Sequence, residues 1–529
     1  MSEPLSCLAV GDWITVGARN WPAAPCLVRP DTNSADGRQS RSFSETNDRV
    51  TRLADSLLDR GLRPGNRVAL VATDSFEHIE IVLACLKAGI TFCDLNYRLR
   101  TSELANILSR CPMDALFFSG RYGDILDEIG ADGVEVGWRC RLDDDGGPAE
   151  VEDLIAGGRR EERRALAHGE DIVSIAFTSG TTGMPKGVLQ SERMIRHIVY
   201  SGIREIRIRA GGFRYSGAPL FHISGIGSIL YAVAGGCGSL ILPQFDAETV
   251  LWWLQHGGVT GCTLIPTMIS AILALPEARQ YPYPALQSMM YGGAPMTPAL
   301  LREVIDTFGC DLFNGFGAGT EAGGQTMLVP EDHVDALNGK EHLLGSIGKP
   351  IMGVDLRICD DELRDVRRGE IGEIVTRSET VMSGYYDQPE LTARSLVDGW
   401  FRAGDMAWMD DEGYLYLATR KADMIIRGGE NVYPVEIESV LVDHPDVRDA
   451  VVVGLADDHW GEVIGAAVIL EDGAAFDPEG LRRHCREHLA SYKVPEHIQC
   501  YAELPKNATG KYLKAAIADL LSGVVGAKT

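Results

Sequence analysis

The sequence predicts an α/β protein with parallel-type sheets, followed by a β-rich segment and a compact α+β unit. Three observations predict it. Strand and helix patterns alternate through roughly the first 170 residues, short strands between Gly and Asp turns crowd the stretch from Gly353 to Leu417, and after Asp423 the order becomes helix, strand, strand, helix. Alternation of strand and helix implies right-handed crossover units, which place ligands at the carboxyl ends of parallel strands. A chain of 529 residues has the length for about three units, each with its own core.

Phe43 to Arg60 has helical spacing ended by Gly61, Arg67 to Thr73 (RVALVAT) is a short apolar run suited to a buried strand, and Phe76 to Ala88 reads as a helix stopped by Gly89. Ala131 to Arg164, rich in Gly, Asp and Arg, reads as a surface excursion. At Asp171 the pattern resumes with IVSIAFTSG, a strand running into a glycine turn. Ile223 to Leu242 is apolar enough to invite a membrane assignment, but Gly235 and Gly236 interrupt it and Pro243 closes it. A span needs ~20 predominantly apolar residues, so a buried helix followed by a buried strand is expected. DLRIC, GEIVTR and YLYLA, from Asp355, Gly372 and Tyr414, read as strands. Beyond them, Val435 to Leu441 reads as a helix, Asp449 to Leu455 and Glu462 to Leu470 as strands, and Pro478 to Leu489 as a helix.

Lys plus Arg number 50 against 75 Asp plus Glu, a formal net charge of −25. That balance argues against broad nucleic-acid or anionic-membrane binding, because polyanions are drawn to basic faces. It says nothing of a single pocket. Twelve cysteines are scattered with no CxxC pair, and no secretory signal opens the sequence, so reduced thiols in a cytoplasmic protein are expected rather than zinc or disulfides.

The strongest chemical signal is TSGTTGMPKG, Thr178 to Gly187, directly after the apolar strand Ile172 to Phe177. Small residues leave backbone N–H groups free to face an anion, while Thr178, Ser179, Thr181 and Thr182 add hydroxyl donors and Lys186 adds a charge. This is the composition of a phosphate-cradling loop. It is not the Walker type, since Pro185 precedes the lysine and Gly187 follows it.

TSGTTGMPKG resembles the signature loop of the acyl-adenylate-forming enzymes: acyl-CoA synthetases, peptide-synthetase adenylation domains and beetle luciferase. The likeness continues, in the family's order, through DLNYRLRTSEL from Asp94, APLFHISG from Ala218, YGGAPM from Tyr291, GYYDQPELTA from Gly384, GWFRAGD from Gly399, MIIRGGENVYPVEIE from Met424 and PKNATGKYLK from Pro505. The resemblance implies a large N-terminal domain, residues 1–421, with two parallel-type α/β subdomains to about 350 and a β-barrel-like subdomain from about 351. It also implies a small mobile α+β C-terminal domain, residues 422–529. The implied reaction is activation of a carboxylic acid by ATP to an acyl-adenylate, then transfer to the thiol of CoA.

The resemblance also assigns residues. Thr178, Ser179, Gly180, Thr181, Thr182, Gly183 and Lys186 would hold the β- and γ-phosphates; Thr320 and Glu321 would serve catalysis, with Glu321 holding Mg²⁺. Lys511 would bridge carboxylate and α-phosphate, and His222 would gate the acyl pocket. Gly292, Gly293, Ala294 and Pro295 with Asn314, Gly315 and Phe316 would wall the adenine slot; Asp405 would take the ribose hydroxyls, assisted by Arg420. Gly428 and Gly429 would line the pantetheine tunnel, and Ala422 marks the hinge.

Three positions depart from the pattern: Phe316 to Glu321 is one residue longer, Ala422 stands for Asp or Lys, and Thr419 stands for Gly. The longer loop leaves open a thioesterification-only ligase that uses preformed acyl-AMP. Two other readings stay open, a loader of a carrier protein and a binding protein without turnover. No charged residue falls between Arg214 and Asp246, so an apolar acyl group is expected.

Overall fold

The structure, a computed structural model, describes residues 8–31, 34, 37–142, 149–178, 185–293, 296, 298–428, 430–457, 459–506 and 512–526. Two compact units divide it: Met1–Asp355 with Arg377–Phe401, and Leu356–Thr376 with Arg402–Thr529.

The first unit holds two large mixed sheets. The seven-stranded sheet runs Gly384–Tyr385, Lys186–Ser191, Ile172–Thr178, Thr91–Asp94, Arg67–Val71, Ala115–Phe118, Arg139–Arg141. Its inner strands are parallel, and the Ile172–Thr178/Lys186–Ser191 pair is an antiparallel hairpin. Ser42 starts the helix Phe43–Asp59 through a capping box with Glu45, and Ser75 caps Phe76–Ala88, which ends on Gly89 at φ 67°. Nearly all of the Phe76–Ala88 helix is buried, charged residues included. Each buried charge has a partner: Arg41 and Arg49 donate to Glu80 at 2.8 Å, Lys87 to Glu162 at 2.6 Å, and His78 meets Asp94 at 2.8 Å.

Ala131 to Arg164 is more than a surface excursion. It supplies the strand Arg139–Arg141 and the helix Glu150–Gly157, whose Val151, Leu154 and Ile155 enter the core. Two of its glycines serve close packing: a Cβ on Gly137 would stand 2.0 Å from the Asp114 carbonyl oxygen, and one on Gly158 2.0 Å from that of Arg52. Arg159 and Arg163 close the segment onto buried Asp55 at 2.9 and 2.7 Å.

The nine-stranded sheet runs Lys349–Pro350, Thr326–Leu328, Asp311–Phe316, Ser288–Gly292, Val259–Leu264, Phe213–Ser216, Gly238–Leu240, Pro25–Pro30, Arg38–Ser42. Ile223–Gly235 is a helix, His222 caps it, and Gly236 at φ 74° turns the chain into the strand Gly238–Leu240. The apolar run therefore divides where Gly-Gly breaks it, and no described helix is long and apolar enough to cross a membrane.

In the second unit, residues 405–409 of the strand Trp400–Met409 pair antiparallel with Leu415–Arg420. A separate sheet orders Glu430–Val432, Ile425–Arg427, Gly461–Leu470 and Val447–Asp457, with His497–Cys500 parallel to Gly461–Leu470. Pro434–Val442 and Pro478–His488 cover one core, around Ile437, Ile464 and Cys485; Lys514–Gly526 covers another, around Val453, Ile517 and Leu521.

Arg159 holds the Asp55 carboxyl below its ordinary value of 3.8. A lowered carboxylate contributes stability above that value and loses it as pH falls through the folded-state value. Asp55→Asn should therefore cost on the order of 1 kcal/mol in urea unfolding at pH 7, and the difference from wild type should shrink below about pH 3.8.

Candidate functional site

Thr178 and Lys186 face each other as the last pair of the hairpin ladder, so the strands bring both ends of the glycine-rich loop together. Ser179, Gly180, Thr181, Thr182 and Gly183 lie outside the described residues. Lys186 Nζ sits 5.7 Å from the centre of the Tyr385 ring, on the strand that pairs with Lys186–Ser191. The Tyr385 phenol hydrogen-bonds the Glu321 carboxylate. Burial, with Glu321 beside it, pushes that phenol above its ordinary value, so it stays protonated and donates. Lys186 and Glu321, 135 residues apart in sequence, thus meet across one tyrosine.

The lengthened loop is tightly closed. Gln325 N–H donates to the Phe316 carbonyl at 2.8 Å, and Gly319–Ala322 forms one helical turn in which Ala322 N–H reaches the Ala318 carbonyl at 2.7 Å. Gly317 fits because a Cβ there would stand 2.2 Å from the Gly323 carbonyl oxygen. Three successive carbonyls are then pinned from outside: Thr320 accepts from the Gln190 amide at 2.8 Å, Glu321 from the Met382 N–H at 2.8 Å, and Ala322 from the Thr380 hydroxyl at 2.8 Å. The turn takes up the extra glycine and keeps Glu321 within reach of Tyr385. The Glu321 carboxylate is a hard oxygen donor, which suits Mg²⁺.

Gly292 and Gly315 lie opposite each other on parallel strands, where a Cβ on Gly292 would come within 2.5 Å of the Gly315 carbonyl oxygen. A Cβ on Gly315 would in turn stand 2.4 Å from the Met290 side chain. Gly293 follows at φ 76°, Asn314 and Phe316 belong to the adjoining strand, and Ala294 and Pro295 lie outside the described residues. His222 Nδ1 accepts from the Ser224 N–H at 3.2 Å and lies 2.6 Å from its hydroxyl, which puts the ring proton on Nε2. Its neighbour Ile223 is the side chain nearest to Gly319.

In the second unit Asp405 and Arg420 are directly opposite in the ladder and form an ion pair at 3.1 Å. Thr419 pairs with Met406, and Ala422 lies in the short 3-10 turn Lys421–Asp423. Gly428, at φ 58°, donates its N–H to the Trp460 carbonyl at 2.7 Å, and a Cβ there would strike the Trp460 ring at 2.7 Å. Gly429 and Lys511 lie outside the described residues.

Sequence reasoning missed two residues here. Tyr385 was hidden inside GYYDQPELTA, where nothing marks it above its neighbours. Gln190 shows no signal beyond an amide in an apolar strand, and its partner lies 130 residues away.

The chain belongs to the family of AMP-binding enzymes, which matches residues 14–386, with the family's C-terminal domain matching residues 436–511. It is 32% identical to a feruloyl-CoA synthase of Amycolatopsis over 95% of this chain and 98% of that one, and 32% identical to a 2-succinylbenzoate–CoA ligase of Geobacillus kaustophilus with the same coverage. Among solved structures, an anthranilate CoA ligase in complex with anthranoyl-AMP superposes with a TM-score of 0.87 at 26% identity, covering 99% of both chains. By class the chain is an acid–thiol ligase of the AMP-forming type.

Gln190→Leu removes the donor to the Thr320 carbonyl and loosens the acidic turn. Displacement of a catalytic group by ~1 Å can cost ~10²-fold. Pyrophosphate release should fall by about that factor while the urea midpoint moves little; unchanged release would show that the contact does not position Glu321.

Proposed function

We propose that this enzyme activates a carboxylic acid with an apolar body as its acyl-adenylate and passes the acyl group to the thiol of CoA. The convergence of Lys186, Tyr385 and Glu321 carries this reading, because it joins a phosphate-facing cation to an acidic oxygen donor. In the first half-reaction a carboxylate oxygen attacks the α-phosphorus of ATP, the bond to the β-phosphate oxygen breaks, and pyrophosphate leaves. In the second, the CoA thiolate attacks the carbonyl carbon of the adenylate and AMP leaves.

Each residue has a task. The loop from Thr178 to Lys186 binds the β- and γ-phosphates, and Lys511 bridges the attacking carboxylate and the α-phosphate. Asp405 takes the ribose hydroxyls, with Arg420 beside it, while Gly292, Gly293, Ala294, Pro295, Asn314, Gly315 and Phe316 wall the adenine. His222 separates nucleotide from acyl group. Glu321 would hold Mg²⁺, which when bound offsets the charge of the phosphates. Residues 422–529 act as a small domain turning at Ala422, which brings Lys511 in for adenylation and Gly428 with Gly429 in for the thiol. A cytoplasmic setting agrees with the described cysteines, which are all free and mostly buried.

One cation at ~4 Å from an anion, at an effective dielectric of ~20, is worth on the order of 4 kcal/mol, roughly a thousandfold in rate. Lys511→Ala should therefore lower adenylation by about that factor, yet leave transfer from a supplied acyl-adenylate to CoA largely intact. Mass analysis of products from enzyme, ATP, acid and either CoA or a carrier protein tests the acceptor: acyl-CoA with AMP is expected. Product only on the carrier would make the enzyme a loader, and nucleotide binding without any thioester would make it a binding protein.

A further inference from the structure

Twelve histidines are spread over the 529 residues, yet three gather in the second unit. The ring of His484 stands 5.2 Å from that of His444 and 4.6 Å from that of His488. They sit where the helices Pro434–Val442 and Pro478–His488 end, and a carbonyl near the end of each helix takes part. His484 Nε2 lies 2.9 Å from the Val440 oxygen, and His488 Nδ1 lies 2.9 Å from the His484 oxygen. A carbonyl oxygen can only accept, so each ring donates there and keeps its other nitrogen as a lone pair. These bonds hold ring and tautomer in one arrangement, as the outer hydrogen bonds of metal-binding histidines do.

Glu487 completes the group. Ligand atoms of His484, Glu487 and His488 all lie within 4.8 Å of one another, because positions i, i+3 and i+4 share one face of a helix. The neighbouring arginines turn to other carboxylates, Arg482 to Glu479 and Arg483 to Asp477. His444 is a wall and not a further ligand: its Nδ1 accepts the Asp446 N–H at 3.2 Å, which puts its proton on Nε2. Electrostatics favour a cation at this place, since the carbonyl ends of two helices meet here and that end of a helix carries partial negative charge.

We propose that His484, Glu487 and His488 bind one transition-metal dication, with zinc the best match. Two imidazoles and one carboxylate suit Zn²⁺ better than Mg²⁺ or Ca²⁺, which take oxygen ligands. Zn–N and Zn–O bonds of about 2.0–2.2 Å put tetrahedral ligand atoms ~3.4 Å apart, so atoms already within 4.8 Å close on the ion by side-chain rotation. Three protein ligands leave one position to water, and Glu487 and His488 are exposed, so the ion exchanges with solvent. The site belongs to the second unit, whereas Glu321 belongs to the first. The rival role for these rings is to satisfy helix-end carbonyls alone, which needs no ion.

Untagged full-length enzyme, stripped with a chelator and held in excess Mg²⁺ to occupy Glu321, is titrated with Zn²⁺ by calorimetry and with Co²⁺ by visible absorption. His488→Ala and Glu487→Ala run alongside. Wild type should bind one equivalent that each variant weakens at least ~10-fold, and the Co²⁺ bands of a four-coordinate site should vanish in His488→Ala. Zn²⁺ should also raise the melting temperature of wild type more than that of either variant, since an ion bound only by the folded state stabilises it. Isotherms that coincide for wild type and both variants would overturn the proposal and leave only the capping role, whatever zinc the other imidazoles and thiols take up. Should His488→Ala fail to fold, Glu487→Ala, which touches neither ring's hydrogen bond, decides by the same comparison.

Discussion

Two anions repel, and a carboxylate cannot approach a triphosphate until something offsets that repulsion. In a chain with a net charge of −25 the offset must be local. The antiparallel hairpin of Ile172–Thr178 and Lys186–Ser191 fixes Lys186 opposite Thr178, and the proposed reaction assigns it that task. Its outer neighbour Gly384–Tyr385 then sets Tyr385 against both Lys186 and Glu321. The buried amide of Gln190, on the same hairpin, holds the acidic turn through Thr320. One hairpin therefore places Thr178 and Lys186 and holds the turn that carries Glu321.

Glycine does two kinds of work here, and only one is easily read. Gly89 and Gly236 end helices at positive φ and were legible as stops. Gly137, Gly158, Gly317 and Gly261 admit a neighbouring backbone or side chain within 2.0 to 2.3 Å of where a Cβ would stand, which no local pattern announces. That is why Ala131 to Arg164 read as an excursion although it carries a strand and a helix with a buried face. It is also why the extra glycine of the Phe316–Glu321 loop looked disruptive before its helical turn and its three pinned carbonyls were seen.

The parallel sheets, the helix and strand within the apolar run, and the elements of the second unit were legible because periodicity and breakers lie close together in sequence. What the residues alone could not reveal was pairing over long separations: Gln190 with Thr320, and Tyr385 with Glu321.

The most direct test of the account is exchange of labelled pyrophosphate into ATP without CoA, measured with the acid that gives most thioester. A complete adenylating centre predicts exchange that depends on the acid and disappears in Lys186→Ala. Thioester formation from supplied acyl-adenylate and CoA, with no exchange from acid and ATP, would contradict it and leave an enzyme that only transfers.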